Sequence, residues 1–339
     1  MGACRKLECG MPTTALALLP LAFLAATAAA ATPPAADAPV VQEWAVDFGG
    51  RPRDPYVAPD GKVWFVGQAG NYVASFDPRT AAFRRYEIED GTHPHTVIVD
   101  DDGFAWYAGN VNARIGRLDP ATGEVKIFPT GEARDPHTMA FDGRGHIWFT
   151  SQGANRVGRL DMKTGEVRLV TPNDSPGRPY GIVLDAKGFP WVSLLNTNLV
   201  VRVNPETFEV TKFNKATPES RSRRIEVTAD GSVWYGDEPR GFLGRIDPAT
   251  GAVKEYAMPG GAGSKPYALT QDGDGRLWVS QTGPDKKLVA FDPKTEKFVA
   301  VEDVSDVIRH MMYDAKTDAM WFGTDANRIG RVITRRAAR

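Results

Sequence analysis

The segment that decides the fold is residues 136–170, which reads PHTMAFDGRGHIWFTSQGANRVGRLDMKTGEVRLV. It contains four short runs rich in β-branched and aromatic residues, at 136–141, 146–150, 155–160 and 166–170. Asp/Gly turns at 142–145 and 161–165 separate them. Such runs between such turns are typical of antiparallel strands. Four of them in one repeat predict one blade of a β-propeller.

Tryptophans at a regular spacing mark repeats of this unit along the chain. Seven of the eight tryptophans are separated by 42, 42, 43, 43, 44 and 43 residues. They are Trp64, Trp106, Trp148, Trp191, Trp234, Trp278 and Trp321. We therefore predict an all-β, seven-bladed β-propeller with four-stranded antiparallel blades, in which these tryptophans pack between blades. The last unit stops after a third strand, so we expect residues 41–46 to complete it and close the ring.

Composition and charge limit the function. The 339 residues are 42% hydrophobic and 24% charged, which excludes disorder over most of the chain. The net charge is -1, so we expect no nucleic-acid partner. We predict a signal peptide at residues 1–30, a disordered spacer at 31–40, one propeller at 41–334 and a basic tail at 335–339.

The first thirty residues have the pattern of an export signal. Arg5 and Lys6 precede an apolar run at 15–29, and small residues follow. We expect a periplasmic or secreted protein, with no membrane span once the leader is cleaved. An uncleaved anchor, or a start at Met11, remains open. Both cysteines, Cys4 and Cys9, lie in this leader, so a mature monomer would contain no disulfide and no thiolate metal site.

One position in each unit is expected to surround a mouth of the central channel. Counting eleven residues back from each repeat tryptophan gives Arg53, His95, His137, Tyr180, Arg223, Tyr267 and His310. Two residues before them stand Arg51, His93, Asp135, Arg178, Arg221, Lys265 and Ile308. Because four of the latter are cationic, we expect a small anionic ligand at this mouth. Alternatively, the arginines only pair with neighbouring acids, and the histidines only hydrogen-bond between blades.

The repeated segments resemble those of the streptogramin B lyase (virginiamycin B lyase) family. The resemblance rests on 142–150, on 153–160 and on the blade openings Pro136-His137, Pro179-Tyr180 and Pro266-Tyr267. It implies a seven-bladed propeller that opens cyclic depsipeptides at an ester by elimination, with bound magnesium.

The family's motif positions can be compared one by one. His310 stands where the family has its seventh-blade histidine, and Tyr267 stands where it has the sixth-blade one. Ile308 stands at one glutamate position, Thr324 and Asp325 stand near the other, and Arg53 replaces a tyrosine.

The leading hypothesis is a lyase of altered site that opens an ester or lactone. Its catalytic residues would be His310 as base, by the resemblance, and His95 with His137 as a second acid/base or metal pair. Asp135 would orient this pair, and Asp325 is the candidate ligand for a magnesium ion implied by the resemblance. The expected substrate-binding residues are Arg53, Tyr180, Arg223, Tyr267 and Asp135. Two alternatives are a non-catalytic propeller that binds a ligand or partner, and a scaffold whose polar rim is structural.

Overall fold

The computed structural model describes residues 39–334. They form seven four-stranded antiparallel sheets and one short 3-10 helix, Gly261–Ser264, which confirms the predicted propeller. Within this range, no helix has both the length and the apolar character needed to cross a membrane. The predicted signal peptide, most of the spacer and the basic tail lie outside the described residues.

The first three complete blades follow one another in chain order. Blade 1 consists of β2 (Pro52–Val57), β3 (Val63–Gly67), β4 (Tyr72–Asp77) and β5 (Ala82–Glu87). Blade 2 consists of β6 (Pro94–Val99), β7 (Ala105–Gly109), β8 (Arg114–Leu118) and β9 (Val125–Pro129). Blade 3 consists of β10 (Pro136–Phe141), β11 (His146–Ser151), β12 (Arg156–Asp161) and β13 (Val167–Val170).

The next three blades repeat this order. Blade 4 consists of β14 (Pro179–Leu184), β15 (Pro190–Leu194), β16 (Leu199–Val203) and β17 (Val210–Asn214). Blade 5 consists of β18 (Ile225–Val227), β19 (Val233–Asp237), β20 (Phe242–Ile246) and β21 (Val253–Ala257). Blade 6 consists of β22 (Pro266–Gln271), β23 (Leu277–Gln281), β24 (Lys287–Asp292) and β25 (Lys297–Asp303).

Blade 7 combines both ends of the propeller. Its strands are β26 (Ile308–Asp314), β27 (Ala319–Thr324), β28 (Arg328–Ile333) and β1 (Val40–Ala45), with β1 antiparallel to β28. Trp44 on β1 packs against Phe76 and Trp321, with ring centroids 5.0 and 5.9 Å apart. The predicted ring closure is therefore confirmed. Because β1 pairs with β28, the third strand of blade 7 is not an exposed sheet edge.

The core is divided among the blade interfaces. Separate apolar clusters lie between successive blades, and the repeat tryptophans are at most 3% exposed, as predicted. The aspartate of the first turn holds several indoles, as in Trp106 Nε1 to Asp100 (2.8 Å) and Trp278 Nε1 to Asp272 (2.8 Å). In four blades a glycine of the third strand makes room for an aromatic ring, since a Cβ at Gly158, for example, would lie 2.2 Å from Phe149.

Each repeat tryptophan pairs in register with one inner-strand residue, and this pairing defines equivalent positions. The partners are Tyr56, Ile98, Ala140, Val183, Glu226, Thr270 and Met312. In blade 7, Met312 stands nine residues before its partner Trp321, whereas in blade 6 Thr270 stands eight residues before Trp278. The turn between β26 and β27 is therefore one residue longer than the corresponding turn elsewhere.

Candidate functional site

Three tiers of inner-strand residues follow the channel from one mouth to the other. The upper tier consists of Arg53, His95, His137, Tyr180, Arg223, Tyr267 and Arg309. The middle tier consists of Asp54, Thr96, Thr138, Gly181, Arg224, Ala268 and His310. The lower tier consists of the seven tryptophan partners. The first two tiers are consecutive in sequence, and register irregularities follow them in six blades. Such irregularities re-aim side chains, so consecutive residues contribute to one interior.

The structure corrects the position predicted for His310. Because the turn before Trp321 is one residue longer, counting back eleven residues stops one residue short of the upper tier, which Arg309 occupies. The contacts agree, since Arg309 pairs with Asp325 as Arg53 does with Gln68 and Arg223 with Glu238. His310 lies one tier deeper, beside Asp54 and Arg224.

A buried ion pair closes the channel at the middle tier. Asp54 accepts hydrogen bonds from Arg224 Nη2 (2.6 Å) and Thr96 Oγ1 (2.8 Å), and its side chain is fully buried. Burial opposes ionisation of Asp54, but Arg224, His310 and Arg53 hold its pKa well below the usual range. Arg224 also donates to Thr138 Oγ1 at 2.9 Å. We call this group the ion-pair layer.

The upper-tier histidines meet as predicted. The rings of His95 and His137 lie 3.3 Å apart, and both residues are 2% exposed. Burial, with Arg53 and Arg224 nearby, lowers the pKa of each well below 6.5, so both are neutral near pH 7. Arg53 Nη2 donates to His95 Nε2 at 2.8 Å, so His95 carries its proton on Nδ1 and has no free lone pair for a substrate.

Beside the histidines, two tyrosines share a hydrogen bond between their hydroxyls. Burial opposes ionisation of Tyr180, but Arg53, Arg224 and the hydrogen bond from Tyr267 lower its pKa. Burial and the neighbouring Tyr180 raise the pKa of Tyr267 to about 12. The geometry allows either hydroxyl to donate, and the two pKa directions favour Tyr267 as the donor and Tyr180 as the acceptor.

Two arginines flank the tyrosine pair. The guanidinium carbons of Arg223 and Arg309 lie 4.8 and 5.7 Å from the ring centre of Tyr267. Glu238 orients the first arginine, with Oε2 2.7 Å from Nε, and Asp325 binds the second through both carboxylate oxygens. Each arginine side chain remains about one-quarter exposed, at 27% and 25%. We call the upper tier with these two carboxylates the upper mouth.

The rim above the upper mouth is cationic. Within residues 39–334, the guanidinium groups of Arg178 and Arg221 donate only to neutral oxygens, and Lys265 is exposed. Four rim residues have positive φ angles: 57° at Arg51, 44° at His93, 52° at Arg178 and 49° at Lys265. Such left-handed conformations cost about 1–3 kcal/mol each and cluster at ligand sites.

Two predicted site residues have other structural roles. Asp135 accepts from Ser151 Oγ, from Gly153 N at 2.6 Å and from Ala154 N at 3.2 Å, so it closes its own loop and does not orient the histidines. Both oxygens of Asp325 are bound by Arg309, and Ile308 is buried. No cluster of three His, Cys, Asp or Glu side chains suited to a metal occurs within the described range. The residues present therefore do not fit the family's magnesium ion.

Arg309 is the main site residue that counting from the tryptophans missed, and the turn aspartate was the available signal. Asp142 and Asp272 stand six residues before their tryptophans, whereas Asp314 stands seven before Trp321. Counting from the aspartate would have placed Arg309 in the upper tier. The tyrosine pair had no sequence signal, because blades 4 and 6 are far apart along the chain.

Comparisons with known proteins agree with this architecture. The sequence profile described as the virginiamycin B lyase family matches residues 41–286 and, overlapping, 166–338. No curated protein sequence matches the chain.

Solved structures show the same fold. Virginiamycin B lyase from Staphylococcus aureus superimposes with a TM-score of 0.78 at 22% identity, covering 87% of this chain and 99% of that one. A catalytically inactive variant of that enzyme with quinupristin gives a TM-score of 0.77 at 22% identity, covering 87% and 99%. The extracellular domain of a putative hybrid two-component system from B. thetaiotaomicron gives 0.70 at 20% identity, covering 88% of this chain and 43% of that one.

Proposed function

Since the chain belongs to the virginiamycin B lyase family, we propose that its upper mouth binds a small molecule bearing a carboxylate or phosphate. The observation that carries this proposal is the placement of Arg223 and Arg309 on both sides of Tyr267, each partly exposed towards the channel opening. Carboxylates behind them fix each guanidinium fork, which lowers the entropy lost when a ligand oxygen binds.

The rim supports the same ligand class. The rim adds positive charge on a chain whose net charge is only -1. Within the described residues, no carboxylate contacts the charged side-chain groups of Arg178, Arg221 and Lys265. Cations around a concave opening raise the local concentration of anions and steer them inward. We further propose that a monomer does this outside the cytoplasm. The leader-like residues 1–30 and the fold shared with an extracellular domain support export.

Paired ligands test the site and separate the two anion classes. Calorimetry would compare glutarate with glutaramide, and glucose 6-phosphate with glucose. We expect one or both anions to bind, their neutral analogues to bind at least tenfold more weakly, and Arg223→Met or Arg309→Met to cost about tenfold. The matched control is Arg79→Met, on an exposed turn. Equal binding of anions and neutral analogues, or unchanged affinity in both mouth variants, would refute the proposal.

Elimination at a carbon–oxygen bond is a second candidate, favoured by the tyrosine pair. In this reaction Tyr180, whose pKa is lowered, acts as the general base and in its deprotonated form removes a proton from the carbon next to a carbonyl. The electron pair forms a carbon–carbon double bond while the bond to the ester oxygen breaks and the carboxylate leaves. Arg223 and Arg309 stabilise the negative charge that develops on the carbonyl oxygen. No metal is needed in these steps.

Quinupristin tests this candidate by mass. Elimination opens the ring without changing the mass, whereas hydrolysis adds one water. We expect ring opening that EDTA does not inhibit and that Tyr180→Phe abolishes, with Arg79→Met unaffected. Folded protein that leaves quinupristin and other cyclic esters intact would count against the lyase and leave the anion-binding proposal to its own test.

A further inference from the structure

The far end of the channel opens into a separate cavity of about 500 Å³. The seven lower-tier residues all line it, together with Thr96 and His310 of the middle tier. The ion-pair layer of Asp54 and Arg224 separates this lower cavity from the upper mouth. A volume of this size suits a small ligand.

Glu226 is the acidic member of the lower tier. Its Oε1 accepts a hydrogen bond from Val227 N at 3.1 Å, and the Thr270 hydroxyl and the Gln271 backbone N–H also donate to the carboxylate. Burial raises its pKa to about 7, and no cation of the described chain contributes to that shift. Glu226 is partly exposed to the cavity, and no cation within residues 39–334 balances its carboxylate, so a cationic ligand would supply the missing counter-charge.

The remaining walls suit an apolar or aromatic body. In the ring, blades 1 and 2 lie opposite blade 5, so Tyr56 and Ile98 face Glu226 across the cavity. Tyr56 makes an edge contact with Phe141, at 6.4 Å between centroids, and Met312 adds a thioether wall. Aromatic faces and thioethers favour an alkylammonium or an aryl group.

His310 carries no positive charge that would repel a cationic ligand in the lower cavity. Burial and Arg224 lower its pKa to about 3, so it is neutral near pH 7. Its Nδ1 is buried without a hydrogen-bond partner within residues 39–334. Because this atom has no accessible surface, it is not available to a ligand in the lower cavity.

We propose that the lower cavity is a second binding site, which takes a primary amine with an apolar or aromatic body and anchors it on Glu226. The two ends of the channel then select ligands of opposite charge, anions above and cations below. This site is independent of the function proposed for the upper mouth, since the ion-pair layer lies between them.

The test is calorimetry of the full chain with 2-phenylethylamine, 2-phenylethanol and 3-phenylpropionate. We expect the amine to bind and the alcohol and the acid to bind at least tenfold more weakly. Glu226→Gln keeps an oxygen for Val227 N, so it should fold and weaken the amine at least tenfold. Glu124→Gln, on an exposed turn, is the matched control and should bind as the wild type does.

A second variant locates the ligand. Ile98→Trp fills the lower cavity and should abolish amine binding, whereas Arg223→Met at the upper mouth should leave it unchanged. Circular dichroism verifies that each variant is folded. The proposal is overturned if the amine does not bind, if the alcohol binds equally well, or if folded Glu226→Gln and Ile98→Trp both bind the amine like the wild type.

Discussion

Replacing Asp54 by Asn should destabilise the propeller more than any other single neutralisation around the channel. In the wild type, the fully buried carboxylate binds Arg224 at 2.6 Å and Thr96 at 2.8 Å, with Arg53 at 3.4 Å. The change leaves Arg224, which is 3% exposed, without a counter-charge. Breaking such a buried pair costs about 3–5 kcal/mol. Asp325→Asn is the control, since its pair is one-quarter exposed and costs about 1 kcal/mol.

The measurement is urea-induced unfolding followed by tryptophan fluorescence at low salt. Adding Arg224→Met to Asp54→Asn removes the uncompensated charge, so the double variant should recover at least about 1 kcal/mol. The pKa of Asp54 is depressed in the folded state, so its stabilisation is present above the unfolded pKa and is lost as pH falls through the folded one. The difference between wild type and Asp54→Asn should therefore persist at pH 5. A loss below about 1 kcal/mol, or additive single effects, would refute the ion-pair layer.

Three further predictions concern stability. Trp44→Ala removes the aromatic contacts that seat β1 on blade 7 and should cost about 3 kcal/mol in urea unfolding; a loss below about 1 kcal/mol would argue against closure by β1. His146 Nδ1 lies 2.9 Å from Asp142 Oδ2, while Trp148 Nε1 is buried without a hydrogen-bond partner within residues 39–334. His146→Ser frees this carboxylate oxygen for the indole and should therefore raise the free energy of unfolding by about 1 kcal/mol; a lower melting temperature would contradict this. Glu226, whose pKa is raised to about 7, contributes stability below the unfolded pKa of 4.5 that is lost as pH rises through 7. Glu226→Gln should therefore gain on the wild type by up to roughly 3 kcal/mol between pH 5 and 8, and a constant difference would contradict the shift.

The period of the tryptophans was enough to predict the blades and their closure, because each blade repeats one local pattern. It predicted the first six upper-tier residues for the same reason. It placed His310 wrongly, because one extra residue in the turn after Asp314 shifts the count. Contacts between distant blades, such as Tyr180 with Tyr267 and Asp54 with Arg224, depend on ring geometry, which one repeat does not encode.

The same limit applies to charge. The sequence showed a basic rim and several acids, but it did not show which pairs form. The structure assigns Asp325 to Arg309 and Asp135 to its own loop, which removes them from the expected magnesium site and histidine pair. It also places Glu226 in the lower cavity, where no cation of the described residues contributes to its pKa shift.

The central claim is that the upper mouth binds anions through arginines without a metal ion. The direct measurement is calorimetric titration of glutarate and glucose 6-phosphate into the full chain, with EDTA and again with magnesium. We predict saturable one-to-one binding of at least one anion, equal in both conditions and about tenfold weaker in Arg309→Met. Binding that needs magnesium and disappears in Asp325→Asn would contradict the claim and restore the family's metal site.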